Sequence, residues 1–482
     1  MIHTVTQKKI FIETYGCQMN EYDTELVKAI LTKADYSFTN DELTADIVML
    51  NTCAIREHAH RKVFGRIHEI LHKRRTKDEG RGTSIVHHPS SIGKHRPIIG
   101  ILGCMATNLR SELLENESLE IDFIAGPDSY KRLPQLIAEC YAADAWATAR
   151  VAPTNVGAGF TPARSTKPYD LTLSEFETYS DIYPQRGKGV NAWIAVSRGC
   201  NNFCTFCVVP YTRGRERSRS PENVVEEVKK LADEGFKQVT LLGQNVNSYR
   251  YEARDFAYLL EKVAEVKGIE RVRFTSPHPK DFPENLLKTI ATNPKLCKHV
   301  HLPLQAGNNR ILELMNRSYT KEEFLALVDK TRELIPGVAL STDIIVGFCS
   351  ETDAEFEDTI KALKRVEFDS AFTFKYSQRK QTAASKKFAD DVSEEKKKAR
   401  IMRLNDIQRE ITFKKNKAYI GKIEKLLLED PTSADKIPDH MVGRTDSNKI
   451  VILPKGNYRQ GDWLRAKINH ATPHALKGEP IC

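Results

Sequence analysis

The chain has 482 residues, which is too long for one hydrophobic core and predicts two to four domains. Its hydrophobic content of 40% and charged content of 28% are those of a soluble globular protein. The N-terminus lacks the apolar stretch of a secretion signal, and no run of about 18 apolar residues is present, so we expect a cytoplasmic protein without a membrane span. The net charge of +9 permits a polyanionic partner, but an ordinary solvated surface explains it equally well.

Three strand-like apolar runs in the first third of the chain each end in a cysteine, at Cys17, Cys53 and Cys104. A fourth run, 121–126, ends without one, and helical patterns lie between the runs. This alternation predicts a parallel sheet, whose strands all end on one edge, where ligands bind. We therefore expect the three cysteines, 36 and 51 positions apart, to lie together and form a metal centre. A coincidence of core cysteines is the alternative.

A second strand–helix alternation begins at 191 and predicts a six-stranded partial barrel. The strand candidates are 192–197, 237–242, 270–275, 298–302, 339–346 and 370–376, and a helical pattern follows each one. Six units are too few for a closed eight-fold barrel, and we expect the active site at the carboxyl ends of the strands. The segment 146–190 is interpreted as a linker between an N-terminal α/β domain, 1–145, and a barrel domain, 191–416.

The most specific motif is a run of three cysteines in eight residues, Cys200, Cys204 and Cys207. Three thiolates at this spacing predict a cubic iron–sulfur cluster whose fourth iron has no protein ligand, whereas electron-transfer clusters take four cysteines. Such an iron can bind the amino-acid moiety of a sulfonium compound and help to break its sulfonium bond, which yields a carbon radical. A zinc site with a distant fourth ligand and three unrelated core cysteines are the alternatives.

Polar residues follow the predicted strand ends around this cysteine run. We expect Gln244, Asn245, Asp343 and Arg379 to contact the cofactor of the proposed cluster. After the third cysteine, arginines recur at every second position: Arg213, Arg215, Arg217 and Arg219. An extended segment would point all four to one face, which suits phosphate or carboxylate recognition, although pairing with neighbouring acids or plain solvation is the alternative.

The last part of the chain, 417–482, contains short strand-like runs separated by turn signals, such as 421–428, 449–453 and 462–468. This pattern predicts a small antiparallel β-barrel, a shape often used on nucleic acid. A stabilising appendage is the alternative.

These motifs together resemble the methylthiotransferase family of radical S-adenosylmethionine (SAM) enzymes. The resemblance rests on YGCQMN at 15–20, NTC at 51–53, GCMA at 103–106, the stretch from Arg198 to Arg219, and LLGQNVNSY at 241–249, and it covers nearly the whole chain. It is strongest to the branch that acts on isopentenylated adenosine in tRNA. The terminal barrel resembles the tRNA-gripping TRAM domain of this family.

The resemblance implies two [4Fe–4S] clusters, a SAM-cleaving one on Cys200, Cys204 and Cys207 and an auxiliary one on Cys17, Cys53 and Cys104. It implies conversion of N6-dimethylallyladenosine at position 37, in the tRNA anticodon loop, to its 2-methylthio derivative. One SAM would supply the radical and another the methyl group. An electron donor such as flavodoxin or ferredoxin and a sulfur source would be further partners. No general base is assigned.

Two short segments depart from the family pattern near predicted strand ends. Cys349–Ser350 and Lys380–Gln381 stand where many members carry Pro-Gly, which bears on loop conformation and not on the cluster ligands. Two other functions stay open. One is the same chemistry on threonylcarbamoyl-adenosine in tRNA or on an aspartate of a ribosomal protein, and the other is a non-catalytic iron–sulfur RNA-binding protein.

Overall fold

The computed structural model describes residues 7–54, 57–79, 97–149, 167–429 and 439–481. The chain divides into two compact units. Unit 1 comprises Met1–Arg186 and Val208–Arg215, and unit 2 comprises Gly187–Cys207 and Glu216–Cys482. The short second part of unit 1 begins directly after the cysteine run, so the chain leaves unit 2 after Cys207 and returns to it at Glu216.

Unit 1 is built on a parallel sheet with the strand order β2-β1-β3-β4-β5-β6. Its strands are β1 Lys9–Tyr15, β2 Ser37–Phe38, β3 Ile47–Thr52, β4 Ile98–Leu102, β5 Phe123–Ala125 and β6 Tyr169–Asp170. Its helices are α1 Gln18–Lys33, α2 Glu57–Glu79, α3 Cys104–Asn108, α4 Arg110–Glu115, α5 Leu133–Ala149 and α6 Val209–Thr212.

The parallel α/β fold predicted for the N-terminal region is confirmed. The structure adds two short edge strands, β2 and β6, that the sequence pattern did not reveal because each has only two residues. Strand β6 lies inside the segment interpreted as a linker, whose residues 150–166 lie outside the described part of the chain. The domain boundaries themselves stay a prediction.

Unit 2 begins with a parallel strand–helix succession in the order β7-β10-β13 and β14-β15-β16. A parallel bridge between Val272 and Leu296 joins the two three-stranded groups. The strands are β7 Asn191–Ala195, β8 Ser197–Arg198, β9 Arg217–Ser218, β10 Gln238–Leu242, β11 Arg250–Tyr251, β12 Arg254–Asp255, β13 Arg271–Phe274, β14 His299–His301, β15 Ala339–Val346 and β16 Ser370–Lys375.

The helices of unit 2 cover the outside of these strands and share one large apolar core with them. They are α7 Pro221–Asp233, α8 Phe256–Ala264, α9 Glu284–Thr292, α10 Asn309–Leu314, α11 Lys321–Leu334, α12 Asp353–Val366, α13 Ala383–Lys387 and α14 Glu394–Lys417. Capping boxes fix the starts of α11, at Thr320, and α12, at Thr352. The predicted partial barrel of six strand–helix units is confirmed.

The C-terminal part of unit 2 is a closed five-stranded barrel in the order β17-β18-β19-β21-β20. Its strands are β17 Ile423–Leu428, β18 His440–Arg444, β19 Ile450–Pro454, β20 Trp463–Ala471 and β21 Leu476–Ile481. The predicted small barrel is confirmed, with one difference. The β19–β21 pair is parallel, and the other pairs are antiparallel.

The turn between β18 and β19 packs against the amino-terminal ends of the larger barrel's strands. Buried Arg271 and Arg273 of β13 donate hydrogen bonds to the carbonyl oxygens of Arg444, at 2.9 Å, and Thr445, at 2.8 Å. Lys449 forms a 2.9 Å ion pair with buried Asp369, which directly precedes β16. The small barrel therefore occupies the end of the large barrel opposite to its carboxyl-terminal edge.

No helix among the residues that the structure describes combines the length and the apolar character needed to cross a membrane.

Replacement of Gly100 with Ala should destabilise unit 1. A Cβ atom at this buried β4 position would lie 2.2 Å from the Phe123 ring, which is itself fully buried. We expect a loss of about 1–3 kcal/mol in the free energy of unfolding, the usual cost of overpacking a core. Chemical denaturation measures it, and Gly65→Ala in α2, where a Cβ meets nothing within 4 Å, is the matched control. Equal stability of the two variants would contradict the packing described.

Candidate metal and cofactor sites

The cysteines of unit 1 lie at the carboxyl ends of three adjacent strands. Cys17 follows β1 as the N-cap of α1, Cys53 follows β3, and Cys104 begins α3 after β4. The Cys53 thiol donates a hydrogen bond to the Cys17 sulfur. Cys104 lies close enough to Cys17 for the two side chains to interact electrostatically. The structure therefore brings together the three cysteines that the sequence placed at strand ends.

A glycine with positive φ precedes three of the six predicted ligands. The φ angles are +137° at Gly16, +86° at Gly103 and +81° at Gly199. A Cβ on Gly16 would lie 2.5 Å from the Cβ of Cys53, and one on Gly103 would lie 2.6 Å from the side-chain oxygen of Asn51. These turns need glycine both for backbone conformation and for close approach. They are the local reason for the Gly-Cys pairs in the sequence.

A buried polar network surrounds the unit 1 cysteines, and Arg213 lies at its centre. Arg213 Nε donates to Cys104 Sγ at 3.0 Å, and its Nη2 donates to Asp23 at 2.7 Å and to Asn20 Oδ1 at 3.2 Å. Asp23 also accepts a hydrogen bond from the Tyr130 hydroxyl at 3.2 Å. All of these residues belong to unit 1.

The thiols of this cluster of cysteines differ in acidity. The hydrogen bond from Cys53 lowers the pKa of Cys17 to about 6, and the nearby Arg213 charge acts in the same direction. Burial raises the pKa of Cys104, although Arg213 opposes that effect. The surroundings of Cys17 thus favour its thiolate, whereas burial of Cys104 favours its neutral thiol, and thiolate is the form that binds metal.

The cysteine run of unit 2 forms a loop after β8. Cys200 is buried, Cys204 and Cys207 are partly exposed, and the Cys207 amide donates to the Cys204 carbonyl at 3.0 Å. Burial raises the pKa of Cys200 to about 11. A metal bound by this sulfur would have to displace its proton, as thiolate-binding metals do.

Three residues that the sequence analysis missed hold this loop. Buried Arg317 donates to Cys204 Sγ at 3.2 Å and to the Tyr319 hydroxyl at 3.0 Å. Thr205 donates its hydroxyl proton to the Leu314 carbonyl at 2.7 Å. The Asn316 amide donates to the carbonyls of Asn202 and Phe203, at 3.2 and 3.0 Å. No sequence signal marked these contacts, because each one joins the loop to a residue more than a hundred positions away in the chain.

No three Cys, His, Asp or Glu side chains among the described residues converge on a point that could hold a single metal ion. A cubic cluster does not require such convergence, because each cysteine binds a different iron. In each triplet an arginine donates a hydrogen bond to one of the three sulfurs. A cubic cluster together with its three thiolate ligands carries a net negative charge, so a nearby cation fits it.

Three of the four predicted cofactor residues follow strand ends of unit 2, whereas Asp343 lies inside β15 and not at its end. Gln244 follows β10 and accepts a 2.5 Å hydrogen bond from the Gly199 amide, so it also fixes the start of the cysteine loop. Asn245 is buried and donates to Asp281 at 2.8 Å. Asp343 lies within β15, where its carboxylate is 3.4 Å from His301 Nε2, and Arg379 lies in the segment after β16.

Buried polar atoms without a hydrogen-bond partner among the described residues lie at three of these strand ends. They are Ser197 Oγ after β7, Asn245 Oδ1 after β10 and Gln305 Oε1 after β14. Buried polar groups are normally paired, and an orphaned one needs an explanation. A ligand with several hydrogen-bonding groups, such as the amino-acid and ribose parts of SAM, fits these positions.

The predicted arginine ribbon is wrong. The segment is not extended over its whole length, because Arg213 caps the end of α6 with a ψ of 1° and Gly214 has a φ of +71°. Of the four arginines only Arg217 lies in a strand, β9, and Arg213, Arg217 and Arg219 are buried. Arg219 forms a 2.6 Å ion pair with Glu227 and donates to the Ala195 carbonyl at 2.9 Å. The buried arginines pair within the protein because an unpaired buried charge is too costly. Arg215 is exposed.

The two departures from the family pattern each contain a residue in the left-handed backbone conformation that favours glycine. Ser350 and Gln381 stand at the glycine positions of the Pro-Gly pairs and have φ values of +60° and +73°. Ser350 is held in place, since Arg310 Nη1 donates to its hydroxyl oxygen at 3.0 Å and Arg310 Nη2 to its carbonyl oxygen at 2.8 Å. A non-glycine residue adopts this conformation at a higher free energy than glycine does, and the effect of the two departures on loop conformation stays a prediction.

Family models match three stretches of the chain. They are the Uncharacterized protein family UPF0004 at residues 9–126, the Radical SAM superfamily at 194–363 and the TRAM domain at 417–481. A tRNA-2-methylthio-N(6)-dimethylallyladenosine synthase from Phocaeicola vulgatus is 40% identical over 98% of this chain and 96% of its own length. The chain belongs to this synthase family.

A second synthase of this name, from Prosthecochloris aestuarii, is 39% identical over 98% of both chains. Among solved structures, the radical S-adenosylmethionine methyltransferase TsrM from Kitasatospora setae superposes with a TM-score of 0.52 at 14% identity, covering 79% of this chain and 74% of that one. That likeness extends to the fold alone. The predicted family, radical SAM methylthiotransferases with SAM and [4Fe–4S] clusters as cofactors, is confirmed. The ligand role of each cysteine and the roles of Gln244, Asn245, Asp343 and Arg379 stay predictions.

Proposed function

We propose that this protein replaces the C2 hydrogen of N6-dimethylallyladenosine with a methylthio group, at position 37 in the anticodon loop of tRNA. The observation that carries the proposal is the presence of two separate thiol triplets, one at the strand ends of unit 1 and one in the loop after β8 in unit 2. The chain matches relatives named as this synthase over nearly their whole length, and this match supports the substrate.

Each triplet would hold one [4Fe–4S] cluster. Cys200, Cys204 and Cys207 would bind the cluster that also takes SAM, and the unit 1 triplet, Cys17, Cys53 and Cys104, would bind the auxiliary one. When bound, the clusters and SAM supply a radical that removes hydrogen from an unactivated C–H bond, together with the sulfur and the methyl group that replace it. The protein contributes the thiolates, the loop geometry and an open face for the substrate.

The residues proposed for SAM are Gln244, Asn245, Asp343 and Arg379. Gln244 and Asn245 support this role because they lie two and three positions after the end of β10 and because Asn245 Oδ1 is buried without a partner among the described residues. Asp343 offers a partly exposed carboxylate, which suits the amino or hydroxyl groups of SAM.

The substrate base would lie on the face of β14–β16 that is turned away from the helices. This face carries two exposed aromatic rings, Phe372 at 55% and Phe374 at 38% exposure, and the half-buried Ile345. Asp343 pairs in register with Phe372, and Ile345 with Phe374. Unpaired RNA bases stack on exposed aromatic rings of this kind.

The chemistry of the same face favours an apolar N6 substituent. The described side chains of this face alternate with the buried ones along the strands. They include the carboxylate of Asp343 and no Lys or Arg. A threonylcarbamoyl group carries a carboxylate, which Asp343 would repel. A dimethylallyl group would instead gain contact with Phe372 and Phe374.

The outer face of the C-terminal barrel would contact the RNA backbone. Lys425, Arg465, Lys467 and Lys477 are exposed on neighbouring strands, with Lys425 opposite Arg465. Clustered cations on a small barrel suit phosphate binding. We further propose a cytoplasmic location, an electron donor such as flavodoxin or ferredoxin, a separate sulfur source, and domain boundaries at 1–145, 191–416 and 417–482.

The proposal is tested by anaerobic reconstitution of the full chain with iron and sulfide, followed by assay on a dimethylallylated anticodon stem-loop. We expect 2-methylthio-N6-dimethylallyladenosine by mass spectrometry of the nucleosides, and 5′-deoxyadenosine from SAM. Activity on threonylcarbamoyl-adenosine RNA or on a ribosomal-protein aspartate, without activity on the dimethylallylated RNA, would show that the proposed substrate is wrong. An absence of 5′-deoxyadenosine would favour a non-catalytic protein.

Substitutions in the two triplets should have separable effects. Cys200→Ala, Cys204→Ala or Cys207→Ala should abolish SAM cleavage. Cys17→Ala, Cys53→Ala or Cys104→Ala should spare SAM cleavage and stop methylthiolation, because only the auxiliary cluster is lost. Iron analysis should show a fall from about eight to about four irons per chain in either triple variant. An unchanged iron content in the unit 1 triple variant would refute the two-cluster assignment.

Phe372→Ala and Phe374→Ala should reduce the preference for the dimethylallylated stem-loop over the unmodified one. We expect a loss of about tenfold in the ratio of the two dissociation constants, since apolar contact contributes about 25 cal/mol per Å² and the dimethylallyl group is present in only one of the two RNAs. Stacking of the base itself contributes to both RNAs and cancels in this ratio. Fluorescence anisotropy with both RNAs measures the ratio. Met402→Ala, an exposed apolar residue of α14, is the control. If both Phe variants retained the preference, the proposal that the modified base lies on this face would be refuted.

Arg465→Ala and Lys467→Ala should each weaken tRNA binding and reduce its dependence on salt. Each lost phosphate contact should lower the slope of log affinity against log salt by about 0.7–0.9. A titration at several salt concentrations gives this slope. Lys361→Ala, an exposed residue of α12, should leave it unchanged. If the two barrel variants behaved like that control, this surface would not contact the RNA.

A further inference from the structure

Arg213 is the buried charge that the arginine pattern in the sequence did not explain. It follows α6, six positions after Cys207, and it is 3% exposed. Although its chain neighbour Cys207 lies in unit 2, Arg213 belongs to unit 1. The short segment Val208–Arg215, which follows the Cys200–Cys207 loop in the chain, thus places a cation beside the unit 1 triplet.

The guanidinium of Arg213 contacts that triplet in two ways. Its Nε donates directly to Cys104 Sγ at 3.0 Å. Its Nη2 donates to Asn20 Oδ1 at 3.2 Å, and the same oxygen lies 3.7 Å from Cys17 Sγ. The orientation of the guanidinium is fixed by Asp23, at 2.7 Å, which the Tyr130 hydroxyl holds in turn.

The charge balance at this site indicates why a buried arginine is tolerated. Asp23 offsets the arginine charge, and an ion pair of this kind in the interior gains little stability by itself. Three thiolates around a cubic cluster leave the site with additional negative charge. A hydrogen bond to a ligand sulfur and a nearby cation both stabilise the more negative, reduced form of such a cluster.

We propose that Arg213 is a positioning residue of the auxiliary cluster: it orients Cys104 and raises the reduction potential of the cluster. The negative charge of Asp23 partly offsets this effect of Arg213 on the potential. The proposal rests on the assignment of Cys17, Cys53 and Cys104 as cluster ligands. It predicts opposite effects for the two members of the ion pair. Loss of the Arg213 charge should make the cluster harder to reduce, and loss of the Asp23 charge should make it easier to reduce.

The experiment uses the full chain with Cys200→Ala, Cys204→Ala and Cys207→Ala, so that only the auxiliary cluster is present. Arg213→Gln, Arg213→Lys and Asp23→Asn are added singly, and the midpoint potential is measured by redox titration followed by electron paramagnetic resonance. We expect a more negative potential for Arg213→Gln, a smaller shift in the same direction for Arg213→Lys, and a more positive potential for Asp23→Asn. Arg132→Gln, whose hydrogen-bond partners are Asp170 and Gln135, is the control and should not shift the potential.

A merely structural role would change iron content or stability but not move the two potentials in opposite directions. Potentials of Arg213→Gln and Asp23→Asn that equal the parent value would overturn the proposal. If Arg213→Gln bound no cluster, the potentials of Arg213→Lys and Asp23→Asn would decide in the same way. If the parent variant itself bound no iron, the ligand assignment in the proposed function would fall instead.

Discussion

Both units depend on one constraint, which is that parallel strands joined by helices end on a common edge. In unit 1 this edge gathers Cys17, Cys53 and Cys104 from three adjacent strands. In unit 2 it gathers the loop of Cys200 and the polar residues after β10 and β14. Thiols far apart in sequence need no long connecting loops to meet, because the sheet itself brings their strand ends together. The glycines before Cys17, Cys104 and Cys200 complete this arrangement by turning the chain sharply at the edge.

Buried charge is the second organising feature, and it has the same role at both thiol triplets. Arg317 reaches Cys204 from the turn after α10, and Arg213 reaches Cys104 from the segment after α6. Each arginine is fixed by a neighbour, Tyr319 in one case and Asp23 in the other. A guanidinium suits this role because its rigid planar fork serves a sulfur and an oxygen partner simultaneously. Each thiol triplet thus lies beside a permanently charged, oriented donor.

The C-terminal barrel is part of unit 2 and packs at the opposite end of the large barrel from the cysteine loop. Its β18–β19 turn accepts hydrogen bonds from Arg271 and Arg273, and Lys449 pairs with Asp369. These contacts use strand residues at the amino-terminal end, which leaves the carboxyl-terminal edge to the loops. Structural and chemical duties are therefore divided between the two ends of one set of strands, as is usual for barrels of this type.

The sequence by itself determined the strands and helices of both alternations, the terminal barrel and the positions of six cysteines, because hydrophobic period and Gly-Cys turns are local signals. It did not reveal the two-residue strands β2 and β6, which are too short to show a period. It misread the arginines after Cys207, since alternation predicts a shared face only for an extended chain. Only the tertiary structure decided that Arg213 joins Cys104 and Asp23 and that Arg317 joins Cys204. Those partners lie more than a hundred positions apart, and burial of a charge selects its partner by proximity in space, which no local pattern records.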